Sequence, residues 1–133
     1  MLYVMLEAAL IPPKTVITAK GDGPVVDIND SETRIFLVTL EISKVVEQES
    51  FELSIAGSVD GQNWGPKPLF TFPQQFYASK TPMLLDLSAH AEVKSIRAQW
   101  EVNRWGRGPE APSFEVGASL REVPASILQE SRR

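Results

Sequence analysis

The chain contains no cysteine among its 133 residues, which excludes disulfides, zinc–thiolate sites and a cysteine nucleophile. A single histidine, His90, leaves any transition-metal site to be built from carboxylates. Long apolar runs are also missing. The opening stretch MLYVMLEAALIPPK has no basic leading region, is interrupted by Glu7 and is too short to span a bilayer. Nor is there an excess of basic charge. The formal net charge of −4 argues against nucleic acid as a partner, because phosphate recognition needs a basic face. Residues 1–93 carry 6 basic and 12 acidic side chains, whereas 94–133 carry 7 and 5, a mild asymmetry that reads as two differently solvated edges of one domain. These absences predict a soluble, cytoplasmic chain with no membrane segment and no cofactor. In that compartment the sequon Asn29-Asp30-Ser31 is a chance match.

The dominant period is two rather than 3.6. In SFELSIAGSV, Phe51, Leu53, Ile55 and Val59 alternate with Glu52, Ser54 and Ser58. In SIRAQWEVNR, Ile96, Ala98, Trp100 and Val102 alternate with Arg97, Gln99, Glu101 and Asn103. In SFEVGASLRE, Phe114, Val116, Ala118 and Leu120 alternate with polar residues and Gly117. Each run predicts a strand with one face in a core and the other in water. TRIFLVTLEIS differs, because Ile35 to Val38 are consecutive apolar residues. That marks a strand covered on both faces or one at an oligomer contact. Shorter candidates lie at 15–19, 24–28, 69–72 and 83–87, with Tyr3 to Leu10 as another.

Ten prolines and turn signals at KGDGP, NDSE, VDGQNWG and WGRGPEAP punctuate the apolar runs. The pattern predicts one all-β domain over residues 1–123. It is an antiparallel β-sandwich, jelly-roll-like, with about seven to nine strands and no substantial internal helix. A tail at 124–133 has room for a short helical turn. Strand patterning does not encode the connections, so jelly-roll and immunoglobulin-like orders both fit.

In SVDGQNWGPKPLF the pair Asp60-Gly61 follows an alternating strand and is a strong hairpin signal, with glycine supplying a positive φ. Trp64 then folds back over the hairpin or caps the end of the sandwich. SVDGQNW is similar to the Asp-box of sialidase-type propellers, with one residue fewer between the Asp and the Gly; a lone copy in a short chain rules out a propeller. The combination of LSIAGSVDGQNW with the later strand SIRAQWEV, about residues 50–102, also resembles small β-sandwich proteins of phage virions and tails. That resemblance implies a structural or binding sandwich, a virion-associated setting and no catalytic residue.

Catalytic chemistry finds little support. No nucleophile-elbow signature accompanies His90, which reads as a turn residue. DINDSE, 27–32, begins like a calcium loop but lacks the central glycine and has Val38 at the twelfth position, so it reads as an acidic turn. KGDGP, Lys20 to Pro24, precedes no helix and reads as a turn rather than a phosphate loop. A hydrolase would need two of Glu47, Glu49, Glu52, Asp60 and Glu101 to face each other.

The segment RAQWEVNRWGRGPEAP is richer. Trp100 continues the inward alternation and is expected in the core. Trp105 lies past the strand end between Arg104 and Arg107, where an indole beside guanidinium groups suits a protein partner or a sugar ring. The plainer alternative is that Trp105 plugs the fold and the arginines pair with nearby acids. Phe70, Phe72, Phe76 and Tyr77 form a second aromatic group, expected to pack under the sheet. The expected ligand- or partner-binding residues are therefore Trp64, Tyr77, Arg104, Trp105 and Arg107, with a binding role favoured if Trp64, Tyr77 and Trp105 share one rim. The expected function is a non-catalytic structural or protein-interaction module that binds a protein partner or itself. A carbohydrate-binding module is the alternative, and a carboxylate-dependent hydrolase is least favoured.

Overall fold

A computed structural model of the chain describes residues 5–45, 49–65, 67–105 and 112–126. The three period-two runs, the apolar run and the shorter candidates become nine strands among these residues. Residues of the separate candidates Tyr3 to Leu10 and 15–19 fall in one strand, and the candidate at 83–87 begins earlier, at Ser79. They are β1 (Glu7–Ile17), β2 (Gly21–Asp22), β3 (Val26–Asp27), β4 (Ile35–Val45), β5 (Glu49–Ser58), β6 (Phe70–Thr71), β7 (Ser79–Asp86), β8 (Ser95–Arg104) and β9 (Phe114–Glu122). All pairings are antiparallel. One sheet has the order β1-β9-β4-β7; the other has β2-β8-β5-β6, with β3 also paired to β8. The chain is thus an all-β antiparallel sandwich, as its alternation predicts.

Alternation decides which side of each strand enters the core. Phe36, Val38, Leu40 and Ile42 of β4 and Val116, Ala118 and Leu120 of β9 meet Leu53 and Ile55 of β5 and Ile96 and Ala98 of β8. Phe51 and Phe114 pack across the two sheets with centroids 5.3 Å apart and planes tilted by 50°. Rings in such tilted contact add to the area they bury.

Several expectations need correction. Leu37, within the apolar run Ile35–Val38, is 37% exposed on the outer face of its sheet, so nothing in the described chain covers β4 on that side. Val59 lies beyond the end of β5 and is exposed, although the alternation would turn it inward. Three prolines lie within strands rather than between them. Pro12 and Pro13 occupy register shifts of β1 between Ile11 and Thr15, where Lys14 takes φ 59°, and Pro82 lies in β7. Both strands are sheet edges, where a missing main-chain donor is tolerated. Residues 125–126 are helical; the remainder of the expected tail lies outside the described residues. Among the described residues no helix is long and apolar enough to cross a membrane.

Candidate functional site

The corner after β5 is built by a short side chain and an acid. Ser58 Oγ accepts hydrogen bonds from the main-chain N–H of Asp60 and of Gly61, and donates to Asp60 Oδ1. Asp60 Oδ1 also accepts from the N–H groups of Gln62 and Asn63, and Oδ2 from Asn63 Nδ2. These donors, the Asn63 N–H first, hold the Asp60 carboxyl well below the usual carboxylate range. Gly61 takes φ 79°, the conformation that glycine adopts without strain. The stretch is a turn held by its own side chains, but it is broader than a two-residue hairpin, since the chain rejoins β5 only at β6.

Trp64 emerges from this corner half-buried, with the Arg97 guanidinium 4.4 Å from the centre of its ring. A cation over an indole face is a favourable contact. Arg97 Nη2 lies 3.8 Å from Asp22 Oδ2 as well. Trp64 therefore packs on the outer side of β8 near its start. Trp100 is half-buried at the margin of the core, and its Nε1 donates to the Ala19 carbonyl at 3.1 Å.

The other aromatic residues gather at the far end of β8. Phe51 of β5 exchanges hydrogen bonds with Gln75 at 2.8 and 2.9 Å, which lays residues 73–77 beside the start of β5. On its other side β5 pairs with the end of β8, with Glu49 opposite Arg104. Phe76 is thereby brought to Trp105, edge to face, with centroids 6.0 Å apart, and Tyr77 lies 6.4 Å from Phe76. Phe76 is 41% exposed, Trp105 55% and Tyr77 77%. Neither the Trp105 indole N–H nor the Tyr77 hydroxyl has a hydrogen-bond partner among the described residues.

Of the residues singled out from the sequence, Trp105 and Tyr77 thus share one cluster. Trp64 does not, because the eight residue steps from Arg97 to Trp105 span about 27 Å along a strand. The single rim of three aromatics is split between the two ends of β8. Arg104 is half-buried on the core-facing side of β8 opposite Glu49, whose Oε1 accepts from Ser113 N at 2.7 Å. Its place is structural as much as superficial. Arg107 lies outside the described residues. The expected Phe70–Tyr77 group also divides, with Phe72 buried against the edge of Phe70 and Phe76 and Tyr77 turned out. Sequence reasoning passed over Phe76 as a site residue, although it is the ring that joins the other two.

Residues considered for chemistry lie elsewhere. His90 is exposed, with Nδ1 3.4 Å from Glu92 Oε1, and no hydroxyl hydrogen-bonds the imidazole among the described residues. The Glu92 carboxyl is held below its ordinary value, chiefly by its own main-chain N–H and then by His90. Asp27 Oδ1 accepts from Asn29 N, closing a turn, and no three acids or histidines gather to hold a metal among the described residues. Glu52 and Glu101 stand directly opposite each other on the outer face of β5 and β8, with Glu101 3.4 Å from Lys20 Nζ. They border an open hollow of about 500 Å³, on one sheet face rather than across a cleft. Glu47 lies outside the described residues, and Glu49 and Asp60 are engaged as above. No protein-family model matches the chain, and no curated protein matches it.

Proposed function

We propose that this chain is a non-catalytic β-sandwich interaction module whose binding surface is the cluster of Phe76, Tyr77 and Trp105. The observation that carries the reading is three contacting aromatic rings that stay exposed, two of them with hydrogen-bond donors that find no partner among the described residues. Large rings with a polar handle and little side-chain entropy to lose are the residues that anchor protein interfaces. A protein partner is favoured over a polysaccharide because adjoining rings are tilted by 54° and 71°. A flat sugar chain is best matched by coplanar rings, whereas tilted rings leave clefts that accept side chains. The resemblance to phage sandwich proteins supports the same reading, with a virion as the setting. We read the wrapping as jelly-roll-like, since from β4 onward successive long strands alternate between the two sheets.

A benzophenone photo-crosslinker placed at Tyr77, used in the protein's native setting, tests the proposal. A discrete cross-linked protein whose yield collapses with Trp105→Ala is expected. Cross-linking that is absent, or indifferent to Trp105→Ala, would sink it. The carbohydrate alternative keeps only Tyr77 and Trp105 as stacking rings; binding on a glycan array that both Tyr77→Ala and Trp105→Ala abolish would replace the protein reading.

A further inference from the structure

We propose that the outer surface of β4 and β7 is a self-association face, occupied by a second copy of this chain related by a two-fold axis parallel to the strands and passing between β4 and β7. The face is separate from the aromatic cluster, and the inference does not depend on that site. In the register of the two strands Leu37 stands opposite Leu84, Thr39 opposite Pro82 and Glu41 opposite Lys80. All three pairs belong to the outward set. Leu84 is 56% exposed, next to the exposed Leu37, and Glu41 and Lys80 are exposed.

Such an axis exchanges the two columns while keeping the rows. Leu37 of each copy meets Leu84 of the other, so four leucines close over one another. Glu41 of each copy meets Lys80 of the other, giving two ion pairs of matching sign. A two-fold contact must be self-complementary in this way, and aligned packing of sheets face to face keeps strands within about 30°. Within one chain Glu41 and Lys80 form no ion pair among the described residues, although they are directly opposite, so both charges are free to pair outward.

The rest of the sheet confines the contact to this half. Glu7 and Arg121 are already paired at 3.3 Å on the β1/β9 side. There the irregular stretch of β1 rises over Gly117, at which an added Cβ would stand 3.1 Å from Pro13 Cα. A groove of about 800 Å³ adjoins it and reaches Thr39, Glu41, Ser43 and Lys80 on its β4/β7 side. Close apolar contact is therefore confined to the Leu37/Leu84 end, while Glu41 and Lys80 reach a partner from the groove's margin. Edge-to-edge pairing through β7 is disfavoured, because Pro82 removes a main-chain donor. Two strands offer less than the roughly 800 Å² per partner of a standard interface, so the dimer is weak and concentration-dependent.

Sedimentation equilibrium of the full chain, at low salt from tens of micromolar to about 1 mM, tests the proposal. The wild type should rise from the 14.7 kDa of one chain toward twice that mass. Leu84→Asp should abolish the rise. Glu41→Lys alone and Lys80→Glu alone should each weaken association at least about tenfold. An equimolar mixture of those two variants should recover it, because one substituted face is then wholly positive and the other wholly negative. An intramolecular effect of these charges cannot produce recovery on mixing. A wild type that stays monomeric throughout, association indifferent to Leu84→Asp, or a mixture no tighter than the single variants each overturns the proposal. Should Leu84→Asp lower the melting temperature, the mixing experiment decides, since it alters only exposed charges.

Discussion

The indole of Trp105 meets the ring of Phe76 edge to face, at 6.0 Å and 71°, while more than half of Trp105 remains in water. A ring so placed contributes little to folding. Trp105→Ala should change unfolding free energy by no more than about 1 kcal/mol, whereas Phe51→Ala, which opens the inter-sheet core, should cost about 3–5 kcal/mol. Urea denaturation of the two variants separates the cases. Acrylamide should also quench Trp105 far more readily than the half-buried Trp64 and Trp100. A large loss of stability for Trp105→Ala would make the cluster architecture rather than a binding surface.

Glu122 is buried at the end of β9, and its carboxylate holds three segments together. Oε1 accepts from Leu6 N, and Oε2 from Glu32 N, Thr33 N and Thr33 Oγ1, at 3.0 to 3.2 Å. Glu122→Ala leaves three main-chain donors without that acceptor and should cost about 3 kcal/mol or more. Glu122→Gln, which offers one acceptor oxygen in place of two, should cost less but still more than about 1 kcal/mol. Chemical denaturation measures the cost, and faster amide exchange at Leu6 and Thr33 would locate it.

Gly23 and Gly65 make a matched pair. A Cβ at Gly23 would stand 2.3 Å from the main-chain oxygen of Leu10, whereas one at Gly65 meets nothing within 4 Å. Backbone cannot swing aside as a side chain can. Gly23→Ala should therefore destabilise by about 2 kcal/mol or more, and Gly65→Ala should be neutral within about 0.5 kcal/mol. Thermal melts of the two variants side by side check the contrast.

Asp60 gives a pH dependence whose sign follows from its donors. Its folded-state carboxyl titrates below the ordinary 3.8, so the charged form is favoured by folding. That contribution is fully present above the ordinary value and is lost as pH falls below it toward the folded-state value. The difference in melting temperature between wild type and Asp60→Ala should hold steady from neutral pH to about 4 and narrow only in stronger acid. A difference that disappears already between pH 7 and 5 would mean that another group controls the corner.

Alternation of apolar and polar residues is a local property, and it was enough to establish the β class, the strands β5, β8 and β9 and their inward sets. It did not establish β1, which runs through Pro12 and Pro13, or the full length of β7. Local sequence determined the Asp60-Gly61 corner for the same reason, since the donors and acceptors there lie within a few residues of one another. Strand partners were not legible, because pairing depends on contacts distant in sequence. Glu122 illustrates this, finding its donors 89 to 116 residues away. The aromatic site shows the same limit. Composition drew notice to Trp64, Tyr77 and Trp105 alike, but only the antiparallel registers decided that Phe76 bridges Tyr77 to Trp105 while Trp64 stacks on Arg97 at the opposite end of β8. The apolar run of β4 was visible as an anomaly from the start. That Leu37 faces outward beside Leu84, with Glu41 beside Lys80, was settled by tertiary structure, because a strand's exposed face acquires its pattern from the neighbour across the ladder.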